Sequence, residues 1–406
     1  MTFGLEGIKV IETATIAAAP MAGRLLADWG ADVIHVENTV GGDRWRVFQS
    51  GQGGGTTGIP SSINYNWENY DRNKRSMTLD LSRETGLKIL NKMLEKADVF
   101  LLNFRPREVE KFKLEYETLS QLNPRLIYAS LTGYGKKGAE RDLPAFQTTA
   151  YWCRSGNLHV LQEPGAYPFH TPAAVGDNIA ALALAYGITT ALYVREKTGV
   201  GQEVDVSLYG IGIFALCFDI AGALVTGRDR QPGALEDFPN AAATYYQTKD
   251  GKWLRLAVNQ LDRDWSRFCQ AIERKDLQQD PRFGSPEAIL ENRAALYHIL
   301  KEVFLGKTLD EWKPPLNDAG LAWDPVQSLP EIVNDPQARA NDFFVPYDHP
   351  TYGRIEVVKG PVKLSKTPET IRRPAPEYGQ HTEEVLLEHG YMPKDIEQFR
   401  QQGIIL

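Results

Sequence analysis

The sequence predicts an α/β protein: a large domain built on a parallel sheet, with a smaller α+β domain beside it. Three observations carry this. The first 135 residues alternate short apolar strands with helical patterns, the rhythm of a βαβ chain whose crossovers cover both faces of a sheet. From about residue 227 the texture changes to a Gly-, Pro- and charge-rich linker, followed by a hairpin signal and further helices. Finally, 406 residues at 42% hydrophobic and 24% charged form an ordinary globular composition that is too long for one small core.

The elements follow in order. Ile8 to Glu12 is a short apolar strand, and Pro20 to Trp29 a helix with proline in its first turn and Gly30 beyond its end. Asp32 to Glu37 is a second strand. Gly41 to Asn69 is an irregular insertion, rich in Gly and aromatic residues, that contains Gly53-Gly54-Gly55. Thr85 to Ala97 is an amphipathic helix, Val99 to Asn103 a strand, Tyr116 to Leu122 a helix and Leu126 to Leu131 a strand. Asn178 to about Arg195 is a long apolar helix. Val206 to Val225 reads as a buried core helix rather than a membrane span, because it holds Asp219 and three glycines. Ala243 to Gln247 and Trp253 to Val258 flank Lys249-Asp250-Gly251 as a hairpin. Leu261 to Ile272, Glu287 to Phe304 and Thr382 to Gln402 are helical, and Phe344 to Leu364 holds further strands. The large domain is therefore expected over 1–226, completed by about 331–406, and the small one over 227–330.

A net charge of −7 argues against a nucleic-acid binder. Cys153, Cys217 and Cys269 are widely spaced, with no CxxC pair and no metal-ligand spacing, which fits a reduced, cytoplasmic setting. Met1 to Leu26 lacks the pattern of a signal peptide.

Several motifs are missing. The first βα turn, Glu12 to Pro20, stands where a Rossmann turn would but has no GxGxxG, so nicotinamide and flavin chemistry are disfavoured. No Walker A loop, no G-x-S-x-G elbow and no zinc spacing among the seven histidines is present. Arg72-Asn-Lys-Arg75 is a basic cluster, expected either at the solvated surface or on a phosphate. Asn103-Phe104-Arg105-Pro106-Arg107 and Lys136-Lys137 follow strand ends, where open α/β sheets bind ligands, and suggest a polyanionic ligand on that rim. Asp177 opens the long apolar helix. It is either an N-cap or an ionised carboxylate held by the helix N-terminus, with Gly176 leaving room for a ligand to approach.

Several segments together resemble the class III CoA-transferase family, which includes formyl-CoA and carnitine CoA-transferases. They are Leu5-Glu-Gly-Ile-Lys-Val-Ile-Glu, Leu26-Ala-Asp-Trp-Gly-Ala-Asp-Val-Ile-His-Val-Glu, Asn73-Lys-Arg-Ser-Met-Thr-Leu-Asp-Leu, Ala97-Asp-Val-Phe-Leu-Leu-Asn-Phe-Arg-Pro, Leu122-Asn-Pro-Arg-Leu-Ile-Tyr, Gly176-Asp177, Lys197-Thr-Gly-Val-Gly-Gln-Glu-Val and Gly379-Gln-His-Thr-Glu-Glu-Val-Leu, in family order. The resemblance implies a Rossmann-like large domain in a pair of interlinked chains, a homodimer or a heteromer with a homologous subunit. It implies an acyl-CoA and a free carboxylic acid as substrates, and no tightly bound cofactor, metal, nucleic acid or membrane partner. It makes Asp177 the nucleophile, with Gln147 near the reacting centre. CoA contacts are implied at Ala17, Ala18, Asn38, Leu79, Asp80, Ser82, Asn103, Phe104, Arg105, Lys111, Lys137 and Phe146.

The chain departs from formyl-CoA transferases, which carry Arg at the Asn38 position and Lys and Tyr at those of Pro144 and Phe146. The segment Asp142 to Trp152 is closer to members acting on 2-hydroxy acids, aryl-lactates or benzylsuccinate. Trp45, Trp67, Tyr151 and Trp152 are either an apolar acyl pocket or core. The alternative activity on this fold is an acyl-CoA racemase. That reaction needs a base on each face, and no histidine lies between His35 and His159. A third reading is a CoA-binding homologue without catalysis.

Overall fold

Six parallel strands form the main sheet of the computed structural model: β1 Lys9–Glu12, β2 Asp32–Glu37, β3 Arg75–Thr78, β4 Val99–Leu102, β5 Ile127–Thr132 and β6 Glu203–Ser207. Their spatial order is β3-β2-β1-β4-β5-β6. This is a doubly wound arrangement, and its topological switch point falls between β1 and β4. The structure describes residues 3–47, 61–163, 165–230 and 233–406, so Gly53-Gly54-Gly55 lies outside the described residues.

Both faces of β1, β2, β4 and β5 are buried, so these strands read as mostly apolar runs, whereas the edge strand β6 is only partly covered. Val10, Val33, Val99, Leu101 and Ile127 face a core shared with the first helix, Ala18–Asp28, and the long helix, Val175–Thr198. Ile11, Ile34, Met77, Phe100 and Tyr128 face the other core, against Glu84–Leu94, Tyr116–Leu122 and the C-terminal helices Thr382–Glu388 and Pro393–Gln401. The first helix is buried along its whole length, and small residues allow the approach. A Cβ at Gly23 would lie 1.8 Å from the Glu12 carboxylate. The long helix is also, among the described residues, the one helix long and apolar enough to cross a membrane; here it packs against the first helix and the sheet.

Contacts divide the chain into two compact units. One holds residues 1–159, 169–228 and 341–406, and the other 160–168 and 229–340. The second has its own antiparallel sheet, β7 Tyr245–Gln247, β8 Trp253–Leu256 and β9 Trp323–Pro325, over a core of Tyr246, Phe268, Phe304 and Trp312. In the first unit, β10 Phe344–His349 and β11 Gly353–Val358 form a separate antiparallel hairpin.

Three expectations change. Val206 to Val225 is not one buried helix: β6 ends at Ser207, and the helices Leu208–Ala215 and Cys217–Thr226 follow with an 80° bend. The second of these has no buried residue. Glu287 to Phe304 breaks at Asn292 into Pro286–Glu291 and Arg293–Leu305. The tail helix breaks around Gly390, whose φ is +76°.

Candidate active site

The switch point places the turn after β1 beside the end of β4, and side chains hold that turn from two sides. The Thr15 amide donates to Asn103 Oδ1 at 3.1 Å, and Asn103 Nδ2 donates back to the Thr15 carbonyl at 2.8 Å. The Ile16 amide donates to both oxygens of Asp43, at 3.1 and 2.9 Å. Ile16 has φ +75°, a left-handed conformation costing a β-branched residue about 1–2 kcal/mol. Ala17 then caps the first helix without a side-chain acceptor, and Ala18 begins it, both buried. That leaves the helix's first amides for another acceptor.

A buried ionic network lies beneath the turn. His35 Nδ1 is 2.6 Å from Glu12 Oε1, and Nε2 is 3.5 Å from Asp43 Oδ2. Burial disfavours charge on His35, but hydrogen bonds with Asp43 and Glu12 outweigh it and hold the imidazole up at about 10. Lys74 Nζ bonds to Glu12 Oε1 and Asp71 Oδ1, both at 2.8 Å, and to the Pro20 carbonyl. Burial pushes the Asp71 carboxyl up to about 6 against the pull of Lys74. Glu12, His35 and Asp71 converge as metal ligands would, but the Lys74 ammonium already stands between the two carboxylates as their cation.

The basic cluster therefore takes neither of its expected roles. Arg72, Lys74 and Arg75 are buried, because each meets carboxylates of the chain: Asp28 for Arg72, Glu12 and Asp71 for Lys74, and Asp32, Glu384 and Glu388 for Arg75.

Asp177 is not an N-cap. The long helix begins at Val175, with Ala174 at the cap in a left-handed conformation (φ +58°), so Asp177 lies within the first turn. Its carboxyl is partly buried, and among the described residues no hydrogen-bond donor or cation reaches it. Burial raises it to about 6, so the helix end does not hold it below the ordinary carboxylate range. The long helix leads into β6, which runs parallel to the rest of the sheet, so its N-terminus lies at the sheet's carboxyl edge.

Buried groups fix this helix end. Gln147 Oε1 accepts from the Gly176 amide at 2.8 Å and from Trp152 Nε1 at 3.2 Å, while Nε2 donates to the Pro172 carbonyl at 2.8 Å. Both lone pairs of the amide oxygen are thus used, and Gln147 holds the helix end through the backbone of Gly176. A Cβ at Gly176 would lie 2.5 Å from Tyr151 Cγ, so glycine is required there. Tyr151 belongs to a π-helical turn, Thr148–Arg154. Tyr70 is buried and donates to Asn178 Oδ1 at 2.9 Å; burial and then the Asp177 charge raise its phenol.

The other predicted residues stand in different states. Asn38, after β2, is exposed, and its side chain accepts from the Val40 amide. After β3, Leu79 is buried, and Asp80 accepts from the backbone and hydroxyl of the exposed Ser82. After β4, Phe104 packs on Phe112, and Arg105 pairs with Glu108. Lys111 and, beyond β5, Lys137 are exposed; Lys136 is held by Glu203. Phe146 is 60% exposed. Trp45, Trp67, Tyr151 and Trp152 are buried and pack in the interior. The sequence carries no signal for Asp43, Ile16 or Tyr70. Asp43 follows Gly41-Gly42 and looks like a turn residue, and Tyr70 has no distinguishing pattern.

A doubly wound sheet with an unpaired carboxylate and basic loops at its carboxyl edge suits a thioester of a large polyanion. The family model described as CoA-transferase family III matches residues 5–382, and the chain belongs to that family. It is an enzyme of the CoA-transferase type. It is 34% identical over 406 residues to (R)-2-hydroxy-4-methylpentanoate CoA-transferase of Clostridioides difficile, covering 99% of each chain. It is also 34% identical to cinnamoyl-CoA:phenyllactate CoA-transferase of Clostridium sporogenes, over 99% of this chain and 97% of that one. Among solved structures, a CaiB/BaiF family protein from Brucella suis matches with a TM-score of 0.82 at 27% identity, over 96% of this chain and 100% of that one.

Proposed function

We propose that the protein transfers CoA from an acyl-CoA to a free carboxylic acid with Asp177 as the covalent nucleophile. The observation that carries this is the state of the Asp177 carboxyl: partly buried, without a partner among the described residues, and at the carboxyl edge of the sheet. A carboxylate held by an arginine or by its own helix would be a poorer nucleophile. In the first step an Asp177 oxygen attacks the thioester carbonyl carbon, the C–S bond breaks, and CoA leaves as thiolate. The thiolate then attacks the Asp177 carbonyl of the mixed anhydride, forming an aspartyl-CoA thioester and releasing the first acid. The second acid attacks that thioester, and the returning thiolate attacks its acyl carbon, freeing Asp177. Electrons and leaving groups balance, with no redox step.

The acceptors to try first are 2-hydroxy acids with an apolar side chain, as the names of the two Clostridia relatives suggest. The working assembly is a dimer of this chain. Incubation with acyl-CoA and hydroxylamine or borohydride, followed by peptide mass spectrometry, tests the nucleophile. Modification at Asp177 is expected; an unmodified Asp177, or full transfer by Asp177→Ala, ends the proposal.

A further inference from the structure

We infer that Asp43 is a positioning residue of the acyl-CoA site: its carboxylate imposes the left-handed conformation of Ile16 and so shapes the turn that carries Ala17 and Ala18. The role in catalysis rests on the CoA-transferase reading above; the turn geometry does not. Dinucleotide-binding turns obtain such shapes from glycine, which adopts positive φ freely. No glycine occurs between Glu12 and Pro20. Ile16 instead has φ +75°, and among the described residues it is the one β-branched residue with positive φ. An isoleucine stays there only if its surroundings over-determine it.

Asp43 supplies that constraint. Both of its oxygens accept the Ile16 amide, and Oδ1 also accepts from Trp45 at 2.8 Å. Its own amide donates to Glu37 Oε2 at 3.0 Å. Asp43 is fully buried, and on its other side His35 Nε2 lies 3.5 Å away. The carboxylate thus has little freedom to follow the turn if the turn moves. Asn103 clamps the neighbouring Thr15 through its amide and carbonyl, and Asp43 holds the next amide, that of Ile16. The ligand that benefits is the slim part of a CoA thioester passing the small residues Ala17 and Ala18.

The test compares Asp43→Asn, the double variant Asp43→Asn/Ile16→Gly, and Ile16→Pro. Steady-state kinetics and calorimetric binding of free CoA are measured for each. Asp43→Asn is expected to raise KM for acyl-CoA and weaken CoA binding by about tenfold, with kcat and the KM of the acid within about twofold. Glycine at position 16 adopts the turn unaided, so the double variant is expected to recover CoA affinity to within about threefold of wild type. A merely structural aspartate would show no such rescue. Ile16→Pro, which can neither take positive φ nor donate the bond, is expected to lose CoA affinity with Asp43 intact. This variant decides the matter if Asp43→Asn does not fold. Loss of kcat at unchanged CoA affinity, absence of rescue, or full affinity in Ile16→Pro overturns the inference. A wild-type protein that binds CoA but transfers none refutes the transferase reading alone; one that binds no CoA refutes both.

Discussion

On the proposed mechanism Asp177 combines a catalytic demand with a folding cost, and both are measurable. Burial places its carboxyl at about 6, and attack on a thioester requires the ionised form. The kcat/KM for acyl-CoA is therefore expected to fall about tenfold per pH step below about 6, following one ionisation of the free enzyme. A profile flat down to pH 4.5 would contradict this. The stability effect has the opposite sense to that of a salt-bridged acid. A carboxyl raised from 3.8 to about 6 on folding costs stability above the folded value and costs nothing below the unfolded one. The gap corresponds to at most roughly 3 kcal/mol. Asp177→Asn is thus expected to be more stable than wild type at pH 8, by about 1–3 kcal/mol in urea, with the difference vanishing near pH 3.5. The same variant should lose at least about 10³-fold in transfer rate. At this scale the sequence was informative where composition was unusual. A lone acid after Gly176, at the head of a helix with no other charge before its last turn, drew attention to itself. Asp43 did not, because its importance comes from a backbone amide 27 positions away that no local pattern reveals.

The strands show how charge can mislead at the scale of an element. Arg75–Thr78 is a fully buried strand, yet its approach is Arg72-Asn-Lys-Arg75, which reads as surface. Of the compensating acids, Asp71 stands three residues before Lys74 and Asp28 ends the first helix, whereas Glu12 and Asp32 lie on β1 and β2 and reach the cluster through the parallel pairing of β3 with β2 and of β2 with β1. Spacing along the chain therefore identified β1, β2, β4 and β5 from their apolar runs but could not value the cluster next to β3. Lys74→Met should leave Glu12 and Asp71 buried without their ammonium, at a cost of about 3–5 kcal/mol at pH 8. Asp71, already raised to about 6, takes up a proton more readily than an exposed acid. The deficit relative to wild type is accordingly expected to shrink at pH 5. Urea melts at the two pH values check this, and an equal deficit at both would assign the loss to packing instead of charge.

Hydrophobicity shows that a segment will be covered, without showing by what. Residues 206–225 are the most apolar stretch of the chain, and a single sequence offers an internal core as the simplest cover. Instead, the helices Leu208–Ala215 and Cys217–Thr226 leave Phe214, Phe218, Leu224 and Val225 at 71, 88, 82 and 86% exposure. Soluble monomers rarely present such contiguous apolar surface. The strand alternation that made the α/β sheet legible reports polarity along one chain, so it cannot distinguish burial within a chain from burial between two. A second copy of the chain is the cover that the family resemblance implies. Wild-type protein at about 10 µM is expected to run as a dimer in light scattering, since obligate interfaces of this apolar kind persist at such concentrations. Phe218→Asp/Leu224→Asp, which places two charges on that surface, is expected to yield monomer or weakened dimer with an unchanged far-UV spectrum. A monomeric wild type, or a double variant whose dimer is undiminished, would mean that something other than a second copy covers these helices.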